Sequence, residues 1–440
     1  MYTFSVYLSS AIYVSSEVAI MDHFGVGAFK ASLGLALFVL GYSTGPLLFS
    51  PISEIPSVGR NAPYNVTFAL FVILSVPTAL VKNLGGLLVL RFLQGFFGSP
   101  CLATGGGTMQ DMYSMLYLPI AIACWVSAAF CAPALGPFLS GFAVPAESWR
   151  WSLWEILWLA GPVFILVFIS LPETLEGNIL LRRAKRLRKL TGDDKYVSQS
   201  ELNQKDMTAG SIARFALIKP FEINIKDPAI LFTSIYSGII YGTYYSFFEV
   251  FPLVYGGVHG FNLGETGLVF ICIVVGSILS MACYSMLILK VVIPDILKNG
   301  MGPQENVLKP ALIAVFLPTI SLFVFGWTSR SDIPWIVPTI FLAIYPFSVF
   351  IIFQTLFLYI PISYPQYAAS LFAGNDFFRG LFAFGAILFS RSMFINEGIG
   401  KGVSILGGIS ILGWIGMYYL YFRGAKLRAK SKFAVSEAAT

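Results

Sequence analysis

Twelve apolar windows, separated by short polar breaks, recur along this 440-residue chain. A hydrocarbon core about 30 Å thick needs about 20 residues of helix at a rise of 1.5 Å each. Windows of that length fall at 1–20, 31–52, 64–82, 84–110, 119–143 and 152–171. Six more fall at 229–254, 262–290, 310–327, 334–359, 364–390 and 402–422. A polar stretch from Glu173 to Pro228 divides the two sets. Barrel strands would be about 10 residues long and would alternate in polarity, so this pattern excludes a barrel. The expected fold is an all-α integral membrane protein with 12 transmembrane helices in two six-helix halves. The halves are 1–172 and 229–422, joined by a linker at 173–228 and followed by a tail at 423–440.

Composition supports the membrane reading. Only 11% of residues are charged and 57% are hydrophobic, whereas a soluble domain carries about 25% charged residues. The first window opens at Met1 with no basic segment before it, so it reads as a spanning helix and not a cleaved leader. Five cysteines all lie in apolar runs without CxxC spacing and read as buried small hydrophobes. The distribution of Lys and Arg sets the orientation. With a cytoplasmic N-terminus, twenty basic residues fall inside and six outside. Both termini and the linker are therefore expected in the cytoplasm. In LLRRAKRLRKL, Leu180, Ala184 and Leu187 form one stripe ringed by basic residues. This predicts a short amphipathic helix lying on anionic lipid. Without interleaved aromatics it is not a nucleic-acid site.

Charges within spans are costly, and therefore informative. Arg91 lies within the fourth window and is expected to face a central cavity, with Gln94 one turn away and Glu17 a candidate partner. Asp111 lies too far along the same helix to pair with Arg91: twenty residues span about 30 Å. It is expected instead to join Glu54 and Arg60 in a charge cluster at the cytoplasmic end, as a lock or a proton site. Asp376 and Arg379, spaced i, i+3, can pair on one face, with Asn375 beside them. Glu155 and Glu249 read as interfacial. These groups are the candidates for proton coupling or gating: Arg91, Asp111, Glu54, Arg60, Asp376 and Arg379.

The seventh window is dense in aromatics. Tyr236, Tyr244 and Phe248 share a rough i, i+8, i+12 stripe that could line a cavity for flat apolar or cationic compounds. Gln94 and Asn375 complete the expected substrate contacts. In PALGPFLSG, Gly136 and Gly141 allow close helix contact and Pro137 bends the helix, giving a packing hinge. No nucleotide-binding GxxxxGK[ST] run and no HExxH or other metal-ligand cluster is present. No cofactor or metal is expected.

GYSTGPLLFSPISEIPSVGR (Gly41 to Arg60), LRFLQGFFGSP (Leu90 to Pro100) and ALGPFLSG resemble the signatures of the major facilitator superfamily. More closely, they are similar to those of its twelve-helix fungal drug:proton antiporters. WRWSLWEILW, LPETLEGNILLRRAKRLRK and SLFAGNDFFRG read likewise. Two positions depart from the family pattern. Glu54 stands where the general superfamily loop has Asp, and Tyr113 to Pro119 is neutral where basic residues are usual. The resemblance implies the major facilitator fold and alternating access. It further implies proton-coupled export of varied hydrophobic or cationic drug-like compounds, azoles among them, with the proton as coupling ion. A plasma-membrane monomer is the expected form. The alternatives are a facilitator or carrier of a physiological solute such as a polyamine or sugar, and a non-transporting membrane receptor or scaffold.

Overall fold

The computed structural model describes residues 1–204, 218, 221–300, 302–364 and 368–431. Parts of the expected linker and tail lie outside the described residues. The described chain is helical throughout. Eleven of its helices are long and apolar enough to cross a membrane. They are α1 (Tyr2–Phe24), α2 (Ala28–Glu54), α3 (Asn61–Leu80), α4 (Leu84–Met112), α5 (Leu118–Ala146) and α6 (Trp151–Ser170). After α7 (Glu176–Thr191) and α8 (Pro228–Phe251) come α9 (Leu263–Asn299), α10 (Gln304–Thr328) and α11 (Ile336–Ser363). The last two are α12 (Ala368–Glu397) and α13 (Ile399–Lys430).

The seventh apolar window of the sequence is α8, and it is the one that falls short in hydropathy. At 24 residues it is long enough to span, but Tyr, Ser, Thr and Gly dilute it. Its surroundings supply the reason. Nineteen of its 24 residues are buried, against five of 20 in α6. A helix enclosed by other helices has no lipid to satisfy and can carry hydroxyls, provided they find partners. The outer faces of α6 and α13 bear the opposite signature, with Ile165, Phe168, Ile169, Leu412, Ile415 and Phe422 exposed.

Glycines let helix backbones meet where the bundle is tightest. A Cβ at Gly95 of α4 would collide with the Phe38 carbonyl of α2, and one at Gly41 with the Phe92 carbonyl. Gly136 of α5 faces α1, where a Cβ would stand 2.6 Å from the Ile12 nitrogen. Gly141 faces α9, 2.9 Å from the Leu263 carbonyl by the same measure. Ser15 of α1 donates to the carbonyl of Pro137 at 3.3 Å. Thus the Gly136–Pro137–Gly141 segment clasps α1 and α9 together.

The amphipathic helix α7 is present, with Ala184 buried as expected and Leu181 turned inward in place of Leu180. Asn178, Leu181 and Ala184 are buried, whereas Leu180 is 41% exposed. The shift follows from its anchor: Asn178 donates to the Pro56 carbonyl at 2.6 Å, which turns Leu181 inward. Arg188 bonds Glu201 at 2.6 Å and holds that carboxyl below the usual carboxylate range.

Candidate functional site

Arg91 is fully buried, and its surroundings are a staple rather than an open cavity. Helix α1 is interrupted by a tighter turn at Val14–Ser16, so carbonyls just before the break lack intrahelical donors. Arg91 supplies them. Its Nη1 donates to the Ser9 carbonyl and its Nη2 to the Ser10 carbonyl, each at 3.0 Å. Its Nε donates to the Gly34 carbonyl of α2 at 3.2 Å. The guanidinium lies 4.3 Å from the Phe38 ring centre and 5.1 Å from that of Tyr13. Neither Glu17 nor any other carboxylate pairs with it among the described residues. Gln94, expected beside it, points away and donates to Ser75 of α3 at 3.0 Å.

The second intramembrane arginine has the partner expected. Arg379 and Asp376 form an ion pair on α12, both buried. The guanidinium sits 4.7 Å from the Tyr241 ring centre and donates to the Tyr7 hydroxyl at 3.4 Å. Asn375 donates to Ser237 of α8 at 2.8 Å. From Tyr241 a chain of hydroxyls runs across the bundle. Tyr42 meets Tyr241 at 2.5 Å and donates to Tyr245 at 3.0 Å, and Tyr245 meets the Ser10 hydroxyl at 3.2 Å. Ser10 is also the residue whose carbonyl Arg91 holds. The two arginines are thus joined by one buried polar cluster built from α1, α2, α4, α8 and α12.

The expected stripe on α8 divides. Residues eight apart on a helix are offset by about 80°, enough to separate Tyr236 from Tyr244. Tyr236 stacks on Phe232 at 5.5 Å and packs over Gly413 of α13. Tyr244 donates to the Phe130 carbonyl of α5 at 3.0 Å, and Phe248 stacks on Phe270 of α9 at 5.3 Å. The residues that face the charged cluster are Tyr241 and Tyr245, whose i, i+4 spacing was legible but was lost among the surrounding aromatics.

At the end of the bundle carrying α7, the inner cluster forms in part. Arg60 is ion-paired with Asp111 and lies across Gly107. Burial works most strongly against the Arg60 charge, but Asp111 and Glu54 together outweigh it and hold its pKa above the ordinary arginine value. Among the described residues Glu54 forms no ion pair, although it lies within electrostatic reach of Arg60 and Asp111. The third member is Glu173. Its carboxylate accepts from the backbone of Arg60, Thr174 and Leu175 at 3.0 Å and of Asn61 at 3.2 Å. Gly59, at φ 78°, leaves room for it where a Cβ would collide. The acid in LPET after a spanning helix was the available signal.

A cavity of about 670 Å³ opens at this same end, between α4 and α5, lined by Met1, Thr3, Met109, Tyr113, Tyr117 and Trp125. None of Gln94, Tyr236, Tyr244, Phe248 or Asn375 lines it. Among the described residues no group of three or more His, Cys, Asp or Glu is placed to hold a metal.

The bundle of apolar helices with charges buried among them is that of a multi-pass membrane protein. The chain belongs to the Major Facilitator Superfamily, whose family model matches residues 1–387. It is 43% identical to the MFS-type transporter pyvG of Aspergillus violaceofuscus, over 98% of this chain and 79% of that one. It is 40% identical to the cycloheximide resistance protein of Candida maltosa, over 98% and 80%. It is 39% identical to fluconazole resistance protein 1 of Saccharomyces cerevisiae, over 97% and 78%. The human organic anion transporter MFSD10 shares the fold, with a TM-score of 0.65, 14% identity, and coverage of 94% of this chain and 98% of that one. A particular likeness to the Candida multidrug resistance protein 1 gives way to this broader relation with several fungal multidrug efflux proteins.

Proposed function

We propose that this transporter is a proton-coupled antiporter that exports varied hydrophobic and cationic compounds, azole-type drugs included, by alternating access. The observation that carries the reading is the buried cluster joining Asp376–Arg379 to Arg91 through four hydroxyls, from Tyr241 to Ser10, and the Ser10 carbonyl. Burying two arginines and a carboxylate in a bundle is costly, and Asp376 is the group among them that can take up and release a proton, since a guanidinium keeps its own. A ligand or proton bound there changes the balance between two states only by its differential affinity for them.

In this reading α8 is the twelfth span, and the halves 1–172 and 229–422 rock about the cluster. The basic linker and both termini face the cytoplasm of a plasma-membrane monomer, and α7 rests on anionic lipid. Arg60, Asp111 and Glu173 form the inner lock. The Met- and aromatic-lined cavity beside them has the size of a drug site, about 300–1,000 Å³, and serves as a cytoplasmic entry. The drug-resistance names of the relatives point the same way. The test is export from intact cells. In a yeast strain stripped of its own drug pumps, expression should lower steady-state accumulation of a labelled azole, and a protonophore should restore it. Equal accumulation with and without the protein would overturn the reading.

A further inference from the structure

Glu249, expected at the membrane interface, and Glu17, expected beside Arg91, are instead both buried near one another. Glu249 of α8 is 1% exposed and Glu17 of α1 is 7% exposed. The helices meet one layer below, where Tyr245 and Ser10 touch. From that contact both run toward the end opposite α7, carrying Glu249 about 6 Å and Glu17 about 10 Å further at 1.5 Å per residue. Arg391 of α12 reaches Glu249 at 3.8 Å and has a side chain 29% exposed, which opens the group to water at that end. Glu17 lies within electrostatic reach of both Glu249 and Arg391. Among the described residues, both oxygens of Glu249 and Oε1 of Glu17 have no hydrogen-bond partner.

The charges do not balance. Two carboxylates against one guanidinium leave a net charge of −1 in a buried site, and two carboxylates sharing such a site cannot both ionise freely. Among the described residues the remaining groups facing them supply no second cation. Tyr13 lies below Glu17, Ser16 is bound to Ser152 of α6 at 2.7 Å, and Tyr245 lies below Glu249. Arg91 is held by three carbonyls.

We propose that Glu17 and Glu249 share one exchangeable proton, and that this proton closes the bundle at the end opposite the basic linker. With the proton bound, the pair and Arg391 are neutral and α1 can pack against α8. When it leaves, the two carboxylates repel and the helices part. The sign suits the antiport reading on which the proposal rests: a proton taken up from outside closes the outer end after substrate has left.

The experiment uses the full chain in lipid nanodiscs. Infrared difference spectra across pH should show a protonated-carboxyl stretch that disappears as pH rises. Glu17→Gln and Glu249→Gln should each abolish it, because one carboxylate is already balanced by Arg391. Glu249→Asp should retain it. In proteoliposomes, Glu249→Gln should lose substrate-driven proton movement while still exchanging substrate for substrate. A band unchanged in both Gln variants, or unchanged proton movement per substrate, would overturn the proposal. If the band behaves as stated but the wild type carries substrate without protons, the shared proton stands and the antiport reading falls.

Discussion

Replacing Arg91 by Lys separates charge from geometry. The guanidinium makes three charge-assisted bonds at 3.0–3.2 Å and stacks 4.3 Å from Phe38. A lysine ammonium can reach the adjacent Ser9 and Ser10 carbonyls but leaves the Gly34 carbonyl of α2 without a donor. The lost charged bond is worth about 1.5–3 kcal/mol, and the lost stacking about 0.5–2 kcal/mol. A net destabilisation of about 3 kcal/mol follows, roughly a hundredfold in the folded-to-unfolded ratio by these magnitudes. Denaturant unfolding of the purified protein in micelles, followed by tryptophan fluorescence, measures it. Transport in membrane vesicles should fall in parallel, because the break in α1 is no longer tied to α2. Arg91→Ala should abolish transport while the protein still reaches the membrane. Wild-type stability and substrate gradients in Arg91→Lys would refute the staple.

Four further outcomes test other parts of the structure. Asp111→Asn removes the ion pair with Arg60 and should cost about 1–2 kcal/mol, since the pair is only partly buried; steady-state substrate accumulation should change while surface labelling stays normal. Gly95→Ala drives a methyl into the Phe38 carbonyl and should cost about 1–3 kcal/mol by overpacking, read as a lower thermal midpoint. Tyr241→Phe removes a hydroxyl from the cluster and should slow proton-coupled transport of all substrates. By contrast, Tyr236→Ala, on the α13 side, should lower stability and leave substrate preference unchanged, as a panel of substrates would show.

Spanning helices and the amphipathic segment were legible because each depends on local composition and period. The Asp376–Arg379 pair was legible for the same reason, being four residues on one helix. What sequence could not show were contacts between distant helices. Glu249 read as interfacial because it stands near the end of its apolar window, yet Arg391, 142 positions on, is what it meets. Glu173 read as linker because nothing local reveals that its carboxylate caps backbone 112 and 113 residues earlier. Arg91 was recognised as exceptional, but its partners are carbonyls exposed by a break in α1 that periodicity does not reveal. On α8, aromatic density hid which tyrosines turn inward.

Coupling itself is tested most directly in sealed proteoliposomes with an imposed pH gradient. The account predicts that substrate accumulates in the more acidic compartment, that a protonophore abolishes accumulation, and that reversing the gradient reverses its direction. Substrate that merely equalises across the membrane, whatever the gradient, would contradict it.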